Sequence, residues 1–376
     1  MSVFFGVSMF AIGILIPYFP LLLNDRGLDA AAIGYLLATP YLLRLVTLPA
    51  LGALADRVAD RRAVLAGIGV ATVGFALLFE VSTATLVLFA ATAGLYVAAQ
   101  SFGPMSDVIA LSLDRSGLGS YGRMRLWGSV TFVVGNMAGG ALLASGGLDA
   151  VYAALVAAFA ATLAAVAILP KPPVRLRAAV ATAASPVLRN PAFLGMLLAG
   201  GLLQASHAAL YGFGTLAWSS RGYSEVAIGN LWAIGVIAEI LLFAAAPQLF
   251  RRFSAWSLLV LAAAVGTVRW AIFPLDLGLG FVAATQVLHA GSFACGHLGV
   301  LRFISDVVPD ERAGAAQGSY MVMLGLAMCA STALAGPLFA SFGIGSFAFM
   351  AIFCALSLAL LVAGRIRFEG LGPSRA

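Results

Sequence analysis

The chain has 376 residues, of which 62% are hydrophobic and only 10% charged, and its mean hydropathy is +1.03. A soluble domain carries about 25% charged residues, so this composition excludes an ordinary water-soluble globule. The net charge of +6 comes from basic residues scattered among short loops rather than gathered in one patch, which excludes a nucleic-acid partner and leaves the lipid bilayer as the chain's environment. The three cysteines, Cys295, Cys329 and Cys354, are odd in number and lie inside apolar runs, so neither a disulfide framework nor a metal or cofactor site is expected.

A helix crossing about 30 Å of hydrocarbon needs about 20 apolar residues. Apolar runs bounded by turn signals predict twelve spans, near 3–23, 33–54, 63–81, 85–111, 122–145, 149–169, 192–217, 225–247, 255–273, 277–304, 314–341 and 344–364. The predicted fold is therefore an all-α membrane protein of twelve transmembrane helices in two six-helix, pseudo-symmetric bundles. The first run has no basic stretch before it and ends at Pro17-Tyr18-Phe19-Pro20 without a small-residue cleavage site, so it is expected to be a retained span. With Met1 in the cytoplasm, seventeen of the twenty-one basic residues fall in inside loops or the tail, among them Lys171, Arg175, Arg177, Arg367 and Arg375. Only Arg26 and Arg221 fall outside, and Arg44 and Arg269 lie within spans, an asymmetry that predicts cytoplasmic termini.

The longest polar stretch, 170–191, divides the chain into an N-terminal bundle (1–169) and a C-terminal bundle (192–364), followed by a cytoplasmic tail (365–376). An internal repeat supports the division. Arg26-Gly27 followed by Ala32-Ile33-Gly34 recurs 195 residues later as Arg221-Gly222 followed by Ala227-Ile228-Gly229, and Gly140 to Gly147 resembles Gly336 to Gly343. In this register Arg44 of the second span corresponds to Glu239 of the eighth. Repeated halves around a midplane site are a common plan of transporters.

The loop after the second span carries Gly52, Asp56, Arg57, Asp60, Arg61 and Arg62. Asp56 can accept hydrogen bonds from an arginine or from helix-terminal N–H groups, so Asp56, Arg57 and Arg61 are candidates for a gating latch as well as for a plain solvated loop. Its second-half counterpart, Pro247 to Arg252, keeps the basic pair and lacks the aspartate.

Ionisable groups inside a bilayer need partners and often mark a pathway. In the fourth span Gln100, Pro104 and Asp107 fall near one face; in the fifth, Arg125, Ser129, Phe132 and Asn136 do so. Asp107 and Arg125 can pair across the two helices, as a substrate fork or as a structural bridge at the inside interface. Gln204, His207, Tyr211 and Thr215 form a stripe on the seventh span, and Trp232, Gly235 and Glu239 one on the eighth. Trp232 and Tyr211 can stack on a ring-shaped substrate. The ninth span carries Arg269, expected near Glu239, and the tenth carries Gln286, His289, Phe293 and His297. Buried histidine and carboxylate suit proton coupling, and a hydrogen-bonding role in the core is the alternative for each histidine. Glu80 and Arg302 sit near span ends, where a structural role is expected. Gly135 and Gly139 suit close helix approach.

The signature loop from Gly52 to Arg62 resembles that of the major facilitator superfamily. Tyr121-Gly122-Arg123-Met124-Arg125-Leu126-Trp127-Gly128-Ser129, Pro104 three before Asp107, and the Pro17 and Asn24 to Gly27 segments resemble lactose permease and its phenylpropionate permease relatives. The phenylpropionate permease family is the closer likeness, through His207 to Phe213, Ala238-Glu239-Ile240 and Leu288-His289-Ala290. The resemblance implies that Asp107 and Arg125 bind substrate and that Arg269 and His289 take the places of the ninth-span arginine and tenth-span histidine. Three positions depart from the lactose-permease pattern: Ser292 replaces an acid, Gln286 stands at a lysine position, and Glu239 is about one turn from the expected acid.

The resemblance also implies a monomeric, proton-coupled symporter in a bacterial-type inner membrane. Its substrate is a small molecule, an aromatic monocarboxylate before a sugar or nucleoside, moved by alternating access. The candidate substrate residues are Gln100, Asp107, Arg125, Asn136, His207, Tyr211, Trp232 and Arg269; those for proton coupling are Asp107, Glu239, His289 and His297. A proton-antiporting exporter, a uniporter and a substrate-sensing receptor fit the same fold. An enzyme is not expected, because the chain carries no HExxH or GxSxG motif, and the single lysine, Lys171, follows no phosphate-binding glycine loop.

Overall fold

Inside hydrocarbon a backbone must satisfy its own N–H and C=O groups, so a chain this apolar is confined to helices or a closed barrel. A computed structural model describes residues 1–171, 189–275 and 277–369, with side chains described up to 365, and has helices throughout and no strand among those residues. Most of the expected linker, with Arg175 and Arg177, lies outside the described residues, as do Arg375 and the end of the tail, and the Arg367 side chain.

The first unit contains α1 (Ser2–Asp25), α2 (Ala30–Arg57), α3 (Arg61–Val81), α4 (Thr85–Arg115) and α5 (Tyr121–Ala167). Asp29 caps α2 by accepting from the Ala32 N–H at 2.7 Å, and Asp60 caps α3 by accepting from the Arg62 N–H at 3.0 Å, each satisfying an end donor left over by the helix. The 47 residues of α5 would run about 70 Å as one rod, more than twice the hydrocarbon thickness. The run is broken at Gly147, whose φ of +67° only glycine adopts readily, which matches the predicted division near 145–149. α1 packs along α5, where a Cβ on Gly135 would sit 2.5 Å from the Phe10 carbonyl oxygen; the small residue there is what lets the two backbones meet.

The later helices are α6 (Pro191–Ala205), α7 (Ala208–Ser220), α8 (Glu225–Ala244), the short α9 (Ala246–Arg252), α10 (Ala255–Ile272), α11 (Leu279–His289), α12 (Cys295–Val307), α13 (Asp310–Phe342) and α14 (Met350–Glu369). A π-helical turn, Ala290–Ala294, joins α11 to α12. α10 packs against α12 and α14, and α6 against α13 and α14. By contacts the chain divides into Met1–Ala178 with Gly214–Ala233, and Ala179–Phe213 with Ile234–Ala376.

Ten helical segments among the described residues are long and apolar enough to cross a bilayer, and two of them, Tyr121–Ala167 and Asp310–Arg365, are each long enough for two crossings. Large apolar side chains such as Val46 (71% exposed) and Leu86 (82%) cover the outside of the helices, as lipid-facing surface requires. Glu80 and Arg302 behave as their places near span ends imply: Arg26 pairs with Glu80 at 2.7 Å, and Arg302 with Asp306 at 3.3 Å.

Candidate functional site

The second unit holds a buried polar network built on Arg269 of α10, which is fully enclosed. Its Nε donates to the Thr285 carbonyl at 3.0 Å, Nη2 to Gln286 Oε1 at 3.1 Å, and Nη1 to both His289 Nδ1 and Ser292 Oγ at 3.2 Å. Four of the five guanidinium N–H donors are thus engaged. The π-turn sets the reach of Ser292 and leaves the Phe293 carbonyl to be satisfied from outside its own helix; Gln204 Nε2 donates to it at 3.1 Å. His207 lies in the break between α6 and α7, with Nε2 3.1 Å from Ser292 Oγ and Nδ1 within 3.2 to 3.3 Å of the Leu203 and Gln204 carbonyls.

These contacts determine the imidazole tautomers. Nδ1 of His289 faces a guanidinium N–H and must accept, so its proton sits on Nε2, which points at Glu239 Oε2 3.4 Å away. Nδ1 of His207 faces two carbonyls and donates, so its Nε2 accepts the Ser292 hydroxyl proton. The His289 ring cannot take a second proton on Nδ1 without losing its contact with Arg269. Glu239 is the open member of the chain: its side chain is 20% exposed against 7% for His289, and only a carboxylate can gain a proton there without losing a donor. His297 stands apart from Arg269, with its ring 6.0 Å from Phe243 and close enough to Glu239 for an electrostatic interaction.

The first unit places its polar groups more sparsely. Arg44 Nη1 donates to Gln100 Oε1 at 2.6 Å. The Tyr121 hydroxyl donates to Asp107 Oδ1 at 3.2 Å, while Arg125 lies over the Phe5 ring, 5.6 Å from its centroid. Asn136 is fully buried, and neither atom of its amide has a hydrogen-bond partner. Trp232 is 6% exposed, gives its indole N–H to Thr215 Oγ1 at 2.9 Å, and stands edge-on to Trp218. An apolar cavity of about 650 Å³ between α2, α3 and α4 is bordered by Leu43, Thr47, Val97 and Ser101.

In the loop after α2, Asp56 accepts from Arg61, and Arg62 grips Asp60 at 2.6 Å while donating to the Leu169 carbonyl at 2.8 Å. The hydrogen bonds from the Arg62 side chain hold the Asp60 carboxyl below its ordinary range, against a smaller opposing effect of burial.

Three expected arrangements differ. Asp107 and Arg125 make no direct ion pair, because Tyr121, one turn before Arg125 on the same helix face, stands between them and interacts with both. Arg269 does not pair with Glu239: the His289 ring lies between the two charges. Trp232 is packed against Trp218 and engaged by Thr215 rather than presenting an open face; Tyr211 lies over His207 at 6.3 Å. Tyr121, Ser292 and Ser206, whose Oγ accepts the Trp270 indole N–H at 3.0 Å and lies 3.3 Å from His207 Nδ1, are the polar partners that sequence reasoning did not place in a site. The four-residue step from Tyr121 to Arg125 was an available signal for the first; the other two depend on the helix break and the π-turn.

Ten apolar, membrane-length helical segments, with ionisable side chains buried inside the units, are those of a multi-pass membrane protein. The chain matches the MFS_1 like family over residues 1–353. It is 32% identical over 354 residues to a probable 3-phenylpropionic acid transporter of Escherichia coli (strain K12), covering 91% of each chain, and 26% identical over 375 residues to the maltose permease of Geobacillus stearothermophilus, covering 98% of this chain and 95% of that one. Among solved structures, the nucleoside transporter NupG superposes with a TM-score of 0.82 over 98% of both chains at 16% identity, a likeness of fold. The chain therefore belongs to the MFS_1-like family of major facilitator transporters, which are not enzymes.

Proposed function

We propose that this transporter is a proton-coupled symporter of a small organic solute, an aromatic monocarboxylate ahead of a sugar or nucleoside, working by alternating access. The observation that carries the reading is the Glu239 carboxylate 3.4 Å from His289 Nε2, on the more exposed side of the Arg269 network. A proton arriving on Glu239 removes the charge facing the imidazole and weakens that contact, while Arg269 and His207 hold the ring in place. His297, with Glu239 in electrostatic reach, is the second proton-handling group. Gln100, Asp107, Arg125, Asn136 and Trp232 of the first unit and His207, Tyr211 and Arg269 of the second are the candidate substrate residues, and Asp107 adds a second acidic position for coupling. The relative of 32% identity is described as a 3-phenylpropionic acid transporter, which supports the aromatic carboxylate.

Asp56, Arg57 and Arg61 form the gating loop, and the bundles 1–169 and 192–364 rock about the linker between them. The basic asymmetry supports cytoplasmic termini in a bacterial-type inner membrane, and the family pattern supports a monomer. The test is the pH outside de-energised proteoliposomes on addition of 3-phenylpropionate, maltose or a nucleoside in turn. Alkalinisation with 3-phenylpropionate alone is the expected result. Acidification indicates a proton-antiporting exporter, and no pH change with tracer entry intact indicates a uniporter; either outcome sinks the symport reading.

A further inference from the structure

Two arginines, Arg44 and Arg269, lie within the apolar spans and a third, Arg125, lies in the first turns of α5, and their surroundings are not alike. Arg269 uses four N–H groups on protein acceptors and is fully enclosed, with Glu239 one imidazole away. Arg125 has Asp107 beyond the Tyr121 hydroxyl. Arg44, near the middle of α2, has no carboxylate within ion-pair distance among the described residues. Its one hydrogen bond is to a neutral group, Gln100 Oε1 at 2.6 Å, and its buried Nε has no partner at all. A cation at that depth without a counter-charge is costly to insert and persists where it has an occasional anionic partner.

Gln100 completes the arrangement. By accepting from Arg44 its amide is turned so that Oε1 faces the guanidinium and the Nε2 donors face away, and Nε2 makes no hydrogen bond within the described protein. Gln100 is partly exposed on the α4 face that also carries Pro104 and Asp107. Tyr41 is within electrostatic reach of Arg44, yet Arg44 and Gln100 together present more N–H donors than the hydrogen bonds they make to the described protein. Thr47 and Val97, one turn from Arg44 on α2 and from Gln100 on α4, border the 650 Å³ apolar cavity, which Arg44 and Gln100 themselves do not line, so apolar surface lies one helical turn from the donors. Donors in a fork beside apolar surface match a small carboxylate with a hydrophobic body.

We infer that Arg44, oriented by Gln100, is the group that binds the carboxylate of the transported substrate. The inference rests on the reading of the substrate as an aromatic monocarboxylate and assigns its anionic end to the first unit. Binding of the anion supplies the counter-charge that Arg44 lacks, and the guanidinium fork distinguishes an acid from its uncharged amide.

The test is isothermal titration of the full-length protein in detergent with 3-phenylpropionate and with 3-phenylpropionamide. Wild type should prefer the acid. Arg44→Gln should lose roughly 10- to 100-fold in affinity for the acid, the range set by one to two charge-assisted hydrogen bonds, and keep its affinity for the amide. Arg44→Lys, which keeps the charge and loses the fork, should fall between the two. Gln100→Glu guards against a variant that fails to fold, because it gives Arg44 an internal carboxylate of the same size; it should raise the thermal unfolding temperature and lose acid binding as Arg44→Gln does. Retention of the acid preference by Arg44→Gln or Gln100→Glu overturns the assignment while leaving the substrate class intact. A wild type that binds neither compound, or both equally, overturns the substrate reading itself and this assignment with it.

Discussion

Arg269 and Arg44 are both arginines in apolar helices, yet Arg269 is locked by four hydrogen bonds and Arg44 makes one. The same contrast runs through the two units. In the second, His207, Gln286, His289 and Ser292 join Arg269 in one network, and Gln204 donates its amide N–H to it while its Oε1 is left without a partner. In the first, Asn136 is buried with an unbonded amide, and Asp107 reaches a tyrosine rather than an arginine. The contacts around Arg269 fix the tautomer and geometry of His289, which is what handling a single proton requires. An unsaturated set of donors is what a site that alternately holds and releases a ligand requires.

The largest way to break this contrast is Arg269→Gln. It strips donors from four acceptors in a fully buried place, so unfolding stability should fall by roughly 2–5 kcal/mol and transport should be lost. Thermal unfolding of the solubilised protein reads the first, and uptake reads the second; a loss of transport with unchanged stability would mean that the network is not held by Arg269. Asn136→Leu acts in the opposite direction. Removing an amide that is buried with no partner should stabilise this conformation by about 1–3 kcal/mol, while transport slows because one state is favoured over the other. An unchanged unfolding temperature would indicate that the amide is satisfied in solution.

The smallest expected effect is at Asp60. Its carboxyl is held low chiefly by hydrogen bonds from Arg62, so its contribution is complete above the unfolded-state value of about 3.9 and disappears as the pH falls through the lower folded value. Wild type should unfold slightly later than Asp60→Asn at pH 7, the gap closing as the pH falls through the lowered folded value; the pair is exposed and screened, so the gap is small. A gap that does not narrow as the pH falls would mean that the carboxylate charge is not its source.

Much of the fold was legible because hydropathy over 20 residues is a strong signal. The predicted run 85–111 became Thr85–Arg115 and 255–273 became Ala255–Ile272, and the break near 145–149 was announced by Gly146-Gly147. The interruption at Ser206 and His207 and the π-turn at Ala290–Ala294 were not legible, because both preserve apolar character and change only the hydrogen-bond register. The candidate residues show the same limit. Regular spacing singled out Arg269, Gln286, His289 and His207, which the fold brings together, whereas partner choice depends on what intervenes in space. Tyr121 separates Asp107 from Arg125, and His289 separates Arg269 from Glu239. Arg44 was visible as the repeat counterpart of Glu239, but its lack of a carboxylate became apparent only once its neighbours were placed.

The central claim is that Glu239 is the proton's seat beside an otherwise fixed network, and Glu239→Gln in proteoliposomes tests it most directly. The amide oxygen keeps an acceptor for His289 Nε2–H but cannot take up a proton. The account predicts that 3-phenylpropionate exchange across the membrane at equal concentrations persists while accumulation driven by a pH gradient is lost. Accumulation at the wild-type level in the Gln variant would contradict it.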